Sequence, residues 1–208
     1  MRVSVAVMAH PDRAGFVDEL CGRLDRDPTV VWDEIGDVWH TGRRAMLAYD
    51  PDADYHLVIQ DDAVVCRDLV AGVEKALEYV ERRRTLNLYM GESKRPALNE
   101  LFARADAEGA SFIVTRPVPH GVAVAFPTVM IDWYVAKTDL IPDDTYDRRL
   151  QLAVNKPSWT AWPSLVDHRQ EPSLMGHRDG RRARRFIGVD RSALDVDWSG
   201  PVVRTIWN

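Results

Sequence analysis

Two adjacent acidic residues, Asp61 and Asp62, interrupt an otherwise apolar run in the segment HLVIQDDAVVC at residues 56–66. Two carboxylates this close repel each other unless a cation or a proton lies between them. Mg²⁺ and Mn²⁺ favour oxygen ligands, so the pair could hold a divalent cation against a phosphorylated substrate. The structural alternative is that Asp62 caps a helix that begins near residue 66, because a helix N-terminus favours an acidic residue.

The elements that would position these acids alternate between strand-like and helix-like patterns. Apolar segments at residues 3–9 and 55–60 predict buried strands, and residues 69–80 carry an apolar stripe typical of an amphipathic helix. This alternation predicts an α/β fold with crossover connections and a mostly parallel central sheet. Ligands of such sheets bind outside the carboxyl ends of the strands, where the predicted strand at residues 55–60 would bring both acids.

Composition limits the class of protein. The chain has 208 residues with 46% hydrophobic content, which predicts a single domain around one substantial core. Its net charge of -5 disfavours nucleic-acid binding by the whole surface, although a local basic patch could still bind. The two cysteines indicate reduced thiols, and the absence of a signal-peptide pattern or membrane-length apolar run predicts a soluble cytoplasmic protein without membrane insertion.

The order of several motifs resembles the nucleotide-sugar-dependent glycosyltransferases of the GT-A fold, and family 2 in particular. The motifs are VMAHP at 7–11, TGRRAML at 41–47, QDDA at 60–63 and HGVAVAFPT at 120–128. The resemblance implies a Rossmann-like single domain. It also implies that an acidic motif at the end of a middle strand holds a divalent metal against a sugar diphosphate.

The same resemblance assigns roles to individual residues. The donor-binding set that it implies is Ala9, His10, Arg13, Arg43, Arg44, Asp61 and Gly121. The implied ligands of Mn²⁺ or Mg²⁺ are Asp62 and a late histidine, either His168 or His177. Ordinary structural roles compete with each assignment, because the two helix arginines could be exposed to solvent and the segment around Gly121 could be a core strand.

A general base is expected near the start of a helix in the segment IPDDTYDRRLQLAVN at residues 141–155. An inverting transferase needs such a base to accept the proton of the acceptor hydroxyl. By resemblance to inverting GT-A enzymes, Asp144 is the first candidate, Asp143 the second and Asp147 a more distant one. The alternative is that Asp143 or Asp144 only caps the helix.

The C-terminal part, from about residue 157, has weak periodicity and predicts an irregular segment that covers the site. It contains a near-repeat, PSLVDHR and PSLMGHR, and resembles small glycosyltransferase-like proteins of actinobacterial phages and their hosts. Five arginines follow or end the repeat: Arg178, Arg181, Arg182, Arg184 and Arg185. They could form a solvated face, a clamp on the donor diphosphate, or a patch for an anionic acceptor such as DNA.

These observations predict a metal-dependent glycosyltransferase. Residues 1–90 would bind nucleotide and metal, residues 91–156 would form the acceptor side, and residues 157–208 would cover the site. A nucleoside-diphosphate sugar would be the donor, and the acceptor would be a DNA base, a protein or a glycan. Transfer is expected to invert the anomeric centre, with retention as the alternative. The alternatives are a nucleotidyltransferase, which would release pyrophosphate from a triphosphate, and a non-catalytic nucleotide- or sugar-binding module.

Overall fold

The structure is a computed structural model that describes residues 1–116, 120–142, 145–154, 156–170 and 182–205. Within these ranges the strands are β1 (Val3–Ala9), β2 (Thr29–Trp32), β3 (Tyr55–Gln60), β4 (Ala63–Val65), β5 (Leu86–Asn87), β6 (Phe112–Thr115), β7 (Ala123–Pro127), β8 (Ser158–Ala161), β9 (Val166–His168) and β10 (Val202–Arg204). The helices are α1 (Ala14–Arg23), α2 (Val38–Leu47), α3 (Leu69–Ala76), α4 (Pro96–Ala107), α5 (Ile131–Asp139) and α6 (Tyr146–Ala153). No helix in this part of the chain is long and apolar enough to cross a membrane.

Eight of the strands form one mixed sheet in the order β10-β6-β8-β5-β7-β3-β1-β2. β1 is parallel to β2 and β3, β8 is parallel to β5, and β10 is parallel to β6. β7 is antiparallel to both β3 and β5, and β6 is antiparallel to β8. β4 and β9 form a separate antiparallel ribbon. The prediction of an α/β fold with a mostly parallel sheet is therefore confirmed.

The central strands are apolar on both sides because helices cover both faces of the sheet. Along β1, Val5 and Val7 pack with residues of α1 and α3 on one face. Ala6 and Met8 pack with residues of α2, α5 and α6 on the other face. A strand that is buried on both faces reads as a continuous apolar run, which is why β1 and β3 were predictable.

The chain reverses its direction across the sheet between β1 and β3. From β1 it passes through α1 on one face to β2, and it returns through α2 on the opposite face to β3, on the other side of β1. Helices on opposite faces leave a crevice between the carboxyl ends of the two strands, and ligands of open α/β sheets bind in such a crevice. Asp61 and Asp62 directly follow the last residue of β3, so they lie at this crevice.

The prediction of an irregular C-terminal segment is only partly correct, because three short strands lie in it. β8 lies inside the main sheet between β5 and β6, β9 pairs with β4, and β10 forms the sheet edge beside β6. β8 escapes detection because it mixes small polar residues with a tryptophan in only four positions. Its Ser158 is fully buried and its hydroxyl is hydrogen-bonded to the Thr85 hydroxyl at 2.9 Å, so tertiary pairing satisfies a residue that looks solvated in the sequence.

Candidate functional site

A cavity of about 450 Å³ lies at the carboxyl ends of β1 and β3. The end of β1 and the 3₁₀ turn after it contribute Ala9, His10 and Arg13. The residues that complete the lining are Met8, Asp33, Gly36, Val38, Thr41, Gln60, Asp61, Asp62, Thr145, Tyr146, Asp147 and His168. The cavity therefore joins two adjacent parallel strands to α6 and to the end of β9, which are distant in the sequence.

Arg13 lies between the two acidic side chains. Its Nη1 atom donates to Oδ1 of Asp61 at 2.9 Å and to Oδ2 of Asp62 at 2.7 Å. The other oxygen of Asp61 accepts the backbone N–H of His10 at 2.7 Å. All three charged side chains are at most 12% exposed. The cation expected between the two carboxylates is thus present, and it is a guanidinium.

Burial affects the ionisation of both partners. It disfavours the charged guanidinium, but the hydrogen bond to Asp61 and the charges of both carboxylates outweigh this effect and raise the pKa of Arg13. Burial also raises the pKa of Asp61, and the hydrogen bonds from Arg13 and from the His10 N–H oppose the rise. One guanidinium charge is therefore shared by two carboxylates, and solvent screens the interactions among these buried charges only weakly.

Asp62 is left with an unused oxygen. Its Oδ1 atom is buried and has no hydrogen-bond partner among the residues that the structure describes. Its Oδ2 atom lies 3.3 Å from Nε2 of His168. Nδ1 of His168 lies 2.6 Å from the carbonyl oxygen of Arg169, which can only accept, so Nδ1 carries a proton. If Nε2 carries no proton, Nε2 and Oδ2 of Asp62 are two hydrogen-bond acceptors 3.3 Å apart, and they repel each other. A proton or a cation between them would remove this repulsion.

Asp147 is a further carboxylate of the cavity, beside Asp61, Asp62 and Asp33. Its side chain accepts a backbone hydrogen bond from Gly121, and Gln60 Nε2 lies 3.4 Å from its Oδ1 atom. Burial raises the pKa of Asp147; these two hydrogen bonds oppose the rise, and the nearby charge of Asp62 adds to it. The sequence placed Asp147 third among the candidate bases; it is the second residue of α6, whereas the two favoured candidates precede that helix in the sequence.

Two glycines let α6 approach its neighbours closely: Gly42 lies in α2, and Gly121 lies just before β7. A Cβ atom on Gly42 would lie 2.4 Å from the ring of Tyr146, and one on Gly121 would lie 2.9 Å from the same ring. A Cβ on Gly121 would also lie 2.3 Å from Oδ1 of Asp147. The predicted close approach at Gly121 is therefore present, but the groups that approach its backbone belong to α6. Tyr146 also stacks on Trp39, with 6.3 Å between ring centroids.

Some predicted residues do not reach the cavity. Arg43 pairs with Asp139 at 3.1 Å, Arg44 pairs with Glu34 at 3.0 Å, and neither arginine lines the cavity. Asp143, Asp144 and His177 lie outside the described residues. The alternative in which Asp62 caps a helix is wrong, because β4 follows the acids directly and α3 begins only at Leu69.

One carboxylate oxygen and one imidazole nitrogen could together bind a divalent cation such as Mn²⁺. Oδ1 of Asp62 is a carboxylate oxygen without a partner, and Nε2 of His168 is an imidazole nitrogen whose opposite side is fixed by a backbone carbonyl. Across the described ranges, no group of three or more His, Cys, Asp or Glu side chains surrounds a point that could hold an ion. An ion held by Asp62 and His168 would therefore take its remaining ligands from substrate or water.

Comparisons of the chain with models of known protein families and with curated proteins find no match. The cavity and the motif order are the features of this protein that bear on its function. The cavity contains a buried acid pair with one internal counter-charge, an imidazole beside that pair, and Asp147, whose pKa is raised. Buried carboxylates with perturbed pKa values in one cavity are typical of ligand-binding and catalytic sites.

Proposed function

We propose that this protein is a metal-dependent glycosyltransferase of the GT-A type that moves a sugar from a nucleoside-diphosphate sugar to an acceptor hydroxyl. The observation that carries the proposal is that Asp62, His168 and Asp147 line one cavity. This cavity lies at the carboxyl ends of β1 and β3, where the chain reverses its direction across the sheet. Its volume of about 450 Å³ lies in the range of small-molecule sites. The motif order that resembles GT-A enzymes supports the same function.

Asp62 and His168 would hold Mn²⁺ or Mg²⁺ in this proposal. Asp62 has the unpartnered oxygen, and the Arg169 carbonyl fixes the His168 ring with Nε2 towards Asp62. When bound, the metal would neutralise charge that develops on the departing diphosphate. Arg13 neutralises one of the two carboxylate charges at the same end of the cavity, which would reduce the repulsion of an anionic donor.

Asp147 is the candidate general base within the described residues. It would accept the proton of the acceptor hydroxyl, and its raised pKa makes it a better proton acceptor than an ordinary carboxylate. The Gly121 N–H and Gln60 hold its carboxylate at the cavity wall. Inversion requires that this carboxylate face the anomeric carbon opposite the leaving group. Asp144 and Asp143 stay predictions for the same role.

Calorimetry with a panel of nucleoside diphosphates, their sugars and nucleoside triphosphates, with and without Mn²⁺, tests the proposal. The wild-type protein should bind one nucleotide sugar in a metal-dependent manner, and Asp62→Asn should lose at least roughly tenfold in affinity because a buried charged ligand is removed. Asp132→Asn is the matched control, since Asp132 is an exposed acid on α5. It should bind as the wild type does.

The other outcomes separate the competing functions. Metal-dependent binding of triphosphates alone would replace glycosyl transfer with nucleotidyl transfer. Binding of a nucleotide sugar without transfer to any hydroxyl acceptor or water would favour a non-catalytic binding module. The absence of any nucleotide response under all metal conditions would reject the proposal.

A further inference from the structure

The acid pair already contains one cation in the bridging position. A single nitrogen of Arg13 lies within hydrogen-bond distance of one oxygen from each carboxylate, at 2.9 Å and 2.7 Å. The second oxygen of Asp61 is used by the His10 N–H. Of the four carboxylate oxygens, only Oδ1 of Asp62 is without a partner in the described part of the chain.

We propose that Arg13 is the resident cation of the acid pair, and that it confines a divalent metal to Asp62 and weakens metal binding when no donor is present. The inference deepens the proposed function and rests on the metal site assigned there. It gives Arg13 a role that the sequence did not indicate, because the resemblance placed this residue among the donor-binding groups.

The local backbone fixes the position of Arg13. The residue ends the 3₁₀ turn Pro11–Arg13, which follows β1, and its backbone N–H donates to the His10 carbonyl at 2.9 Å. His10 in turn accepts the Asp12 N–H through its ring nitrogen at 3.2 Å. With only 12% of its side chain exposed, the guanidinium is fixed between the carboxylates rather than sampling solvent.

The charges of the three side chains explain why Arg13 would weaken the binding of a divalent metal. The two carboxylates carry two negative charges, and the guanidinium cancels one of them before any metal arrives. A divalent cation beside Asp62 would also experience direct repulsion from the guanidinium, which burial leaves largely unscreened. Without Arg13, the two carboxylates would face each other with no counter-charge and could both coordinate the same ion.

Calorimetric titration with Mn²⁺ alone, without nucleotide, tests the inference on four proteins. Arg13→Gln should bind Mn²⁺ at least roughly tenfold more tightly than the wild type, since one repelling charge is removed and one ligand is released. Arg13→Lys keeps the charge and should stay within roughly threefold of the wild type. Arg13→Gln combined with Asp61→Asn should lose the gain, because Asp61 would be the added ligand.

Two results would overturn the inference: an Arg13→Gln protein that binds Mn²⁺ no more tightly than the wild type, or a gain that persists in the double variant. If Arg13→Gln does not fold in metal-free buffer, its thermal unfolding is followed with added Mn²⁺. The ion should then restore the folded state by replacing the guanidinium, whereas failure to restore it would contradict the inference.

The Mn²⁺ titration also separates this inference from the proposed function. The titration contains no sugar nucleotide, so tighter Mn²⁺ binding by Arg13→Gln remains informative even if the wild type responds to no donor. That combination would reject glycosyl transfer and support the role of Arg13 as the resident cation. Conversely, metal-dependent donor binding together with unchanged Mn²⁺ affinity in Arg13→Gln would support the proposed function and reject the proposed role of Arg13.

Discussion

Two buried polar clusters lie along the same strand, and they differ in how completely they are paired. Near the start of β3, the ring of His56 donates from Nε2 to the Ala45 carbonyl at 2.8 Å and accepts from the Ser4 hydroxyl at Nδ1, also at 2.8 Å. Just beyond the end of β3, Asp61 and Asp62 share one guanidinium and leave one oxygen without a partner. Complete pairing is typical of a structural cluster, whereas buried charge in excess indicates a site that binds a ligand.

Burial acts on the two clusters in opposite directions. It lowers the pKa of His56, because desolvation disfavours the charged imidazolium, and the neutral ring satisfies both of its hydrogen bonds. It raises the pKa of Asp61 and Asp147, because desolvation disfavours the charged carboxylate. The neutral histidine is stable where it lies, while the carboxylates would gain from an added cation.

The largest functional effect is expected from Asp147→Asn at the cavity. This change should reduce glycosyl transfer by roughly 10²–10⁴-fold, the usual contribution of a general base, while donor affinity stays near the wild-type value. Rate measurements at saturating donor and calorimetry check the two parts. Retained transfer would contradict the assignment of Asp147 and favour Asp144 or Asp143 as the base.

Gly121→Ala should have the next largest effect. The added Cβ would meet both Tyr146 and Asp147 at distances that force α6 to shift. We expect a loss of about 1–3 kcal/mol in the free energy of unfolding, together with reduced transfer. Gly22→Ala is the matched control, because nothing lies within 4 Å of its Cβ and it is within α1. The control should be neutral or slightly stabilising, and equal losses in both variants would contradict the packing argument.

The His56 cluster should govern part of the acid sensitivity of the fold. Because the pKa of His56 is lower in the folded state, the unfolded chain binds the extra proton first, so stability should fall as the pH drops below about 6.5. Asp61 and Asp147 act in the opposite sense, since their raised pKa values favour proton binding to the folded state. The His56→Gln variant isolates the histidine.

Denaturant unfolding of wild type and His56→Gln across pH 5 to 8 measures that contribution. The variant should lose about 1–3 kcal/mol at neutral pH through imperfect pairing of buried groups, and the difference should shrink as the pH falls. Its nucleotide affinity should be unchanged at pH 8. A difference that grows on acidification would show that the folded state does not keep His56 neutral.

Arg43→Ala, at a partly exposed ion pair outside the cavity, should have the smallest effect. The ion pair of Arg43 with Asp139 is about 40% exposed on both sides and should contribute at most about 1 kcal/mol. Since Arg43 does not line the cavity, donor affinity should be unchanged. A tenfold loss of donor affinity would instead support the donor-binding role that the sequence resemblance implies.

Local sequence determined the elements that carry the site. β1 and β3 are continuous apolar runs because helices bury both faces of the sheet, and such runs are readable without any tertiary information. The position of Asp61 and Asp62 at the end of β3 follows from where that run stops. The α/β class and the presence of an acidic pair at the carboxyl end of the sheet were therefore predictable.

Only the tertiary structure decided what these residues contact. Arg13 is 48 residues from Asp61, and Asp147 is 87 residues from Gln60, so no local periodicity relates them. The pairing of β4 with β9 brings His168 to Asp62 and removes the helix cap that local spacing suggested. Charge pairing and strand insertion depend on contacts between segments that are distant in the sequence. Burial of a strand, in contrast, requires a run of apolar residues within that strand, and this run is visible in the local sequence.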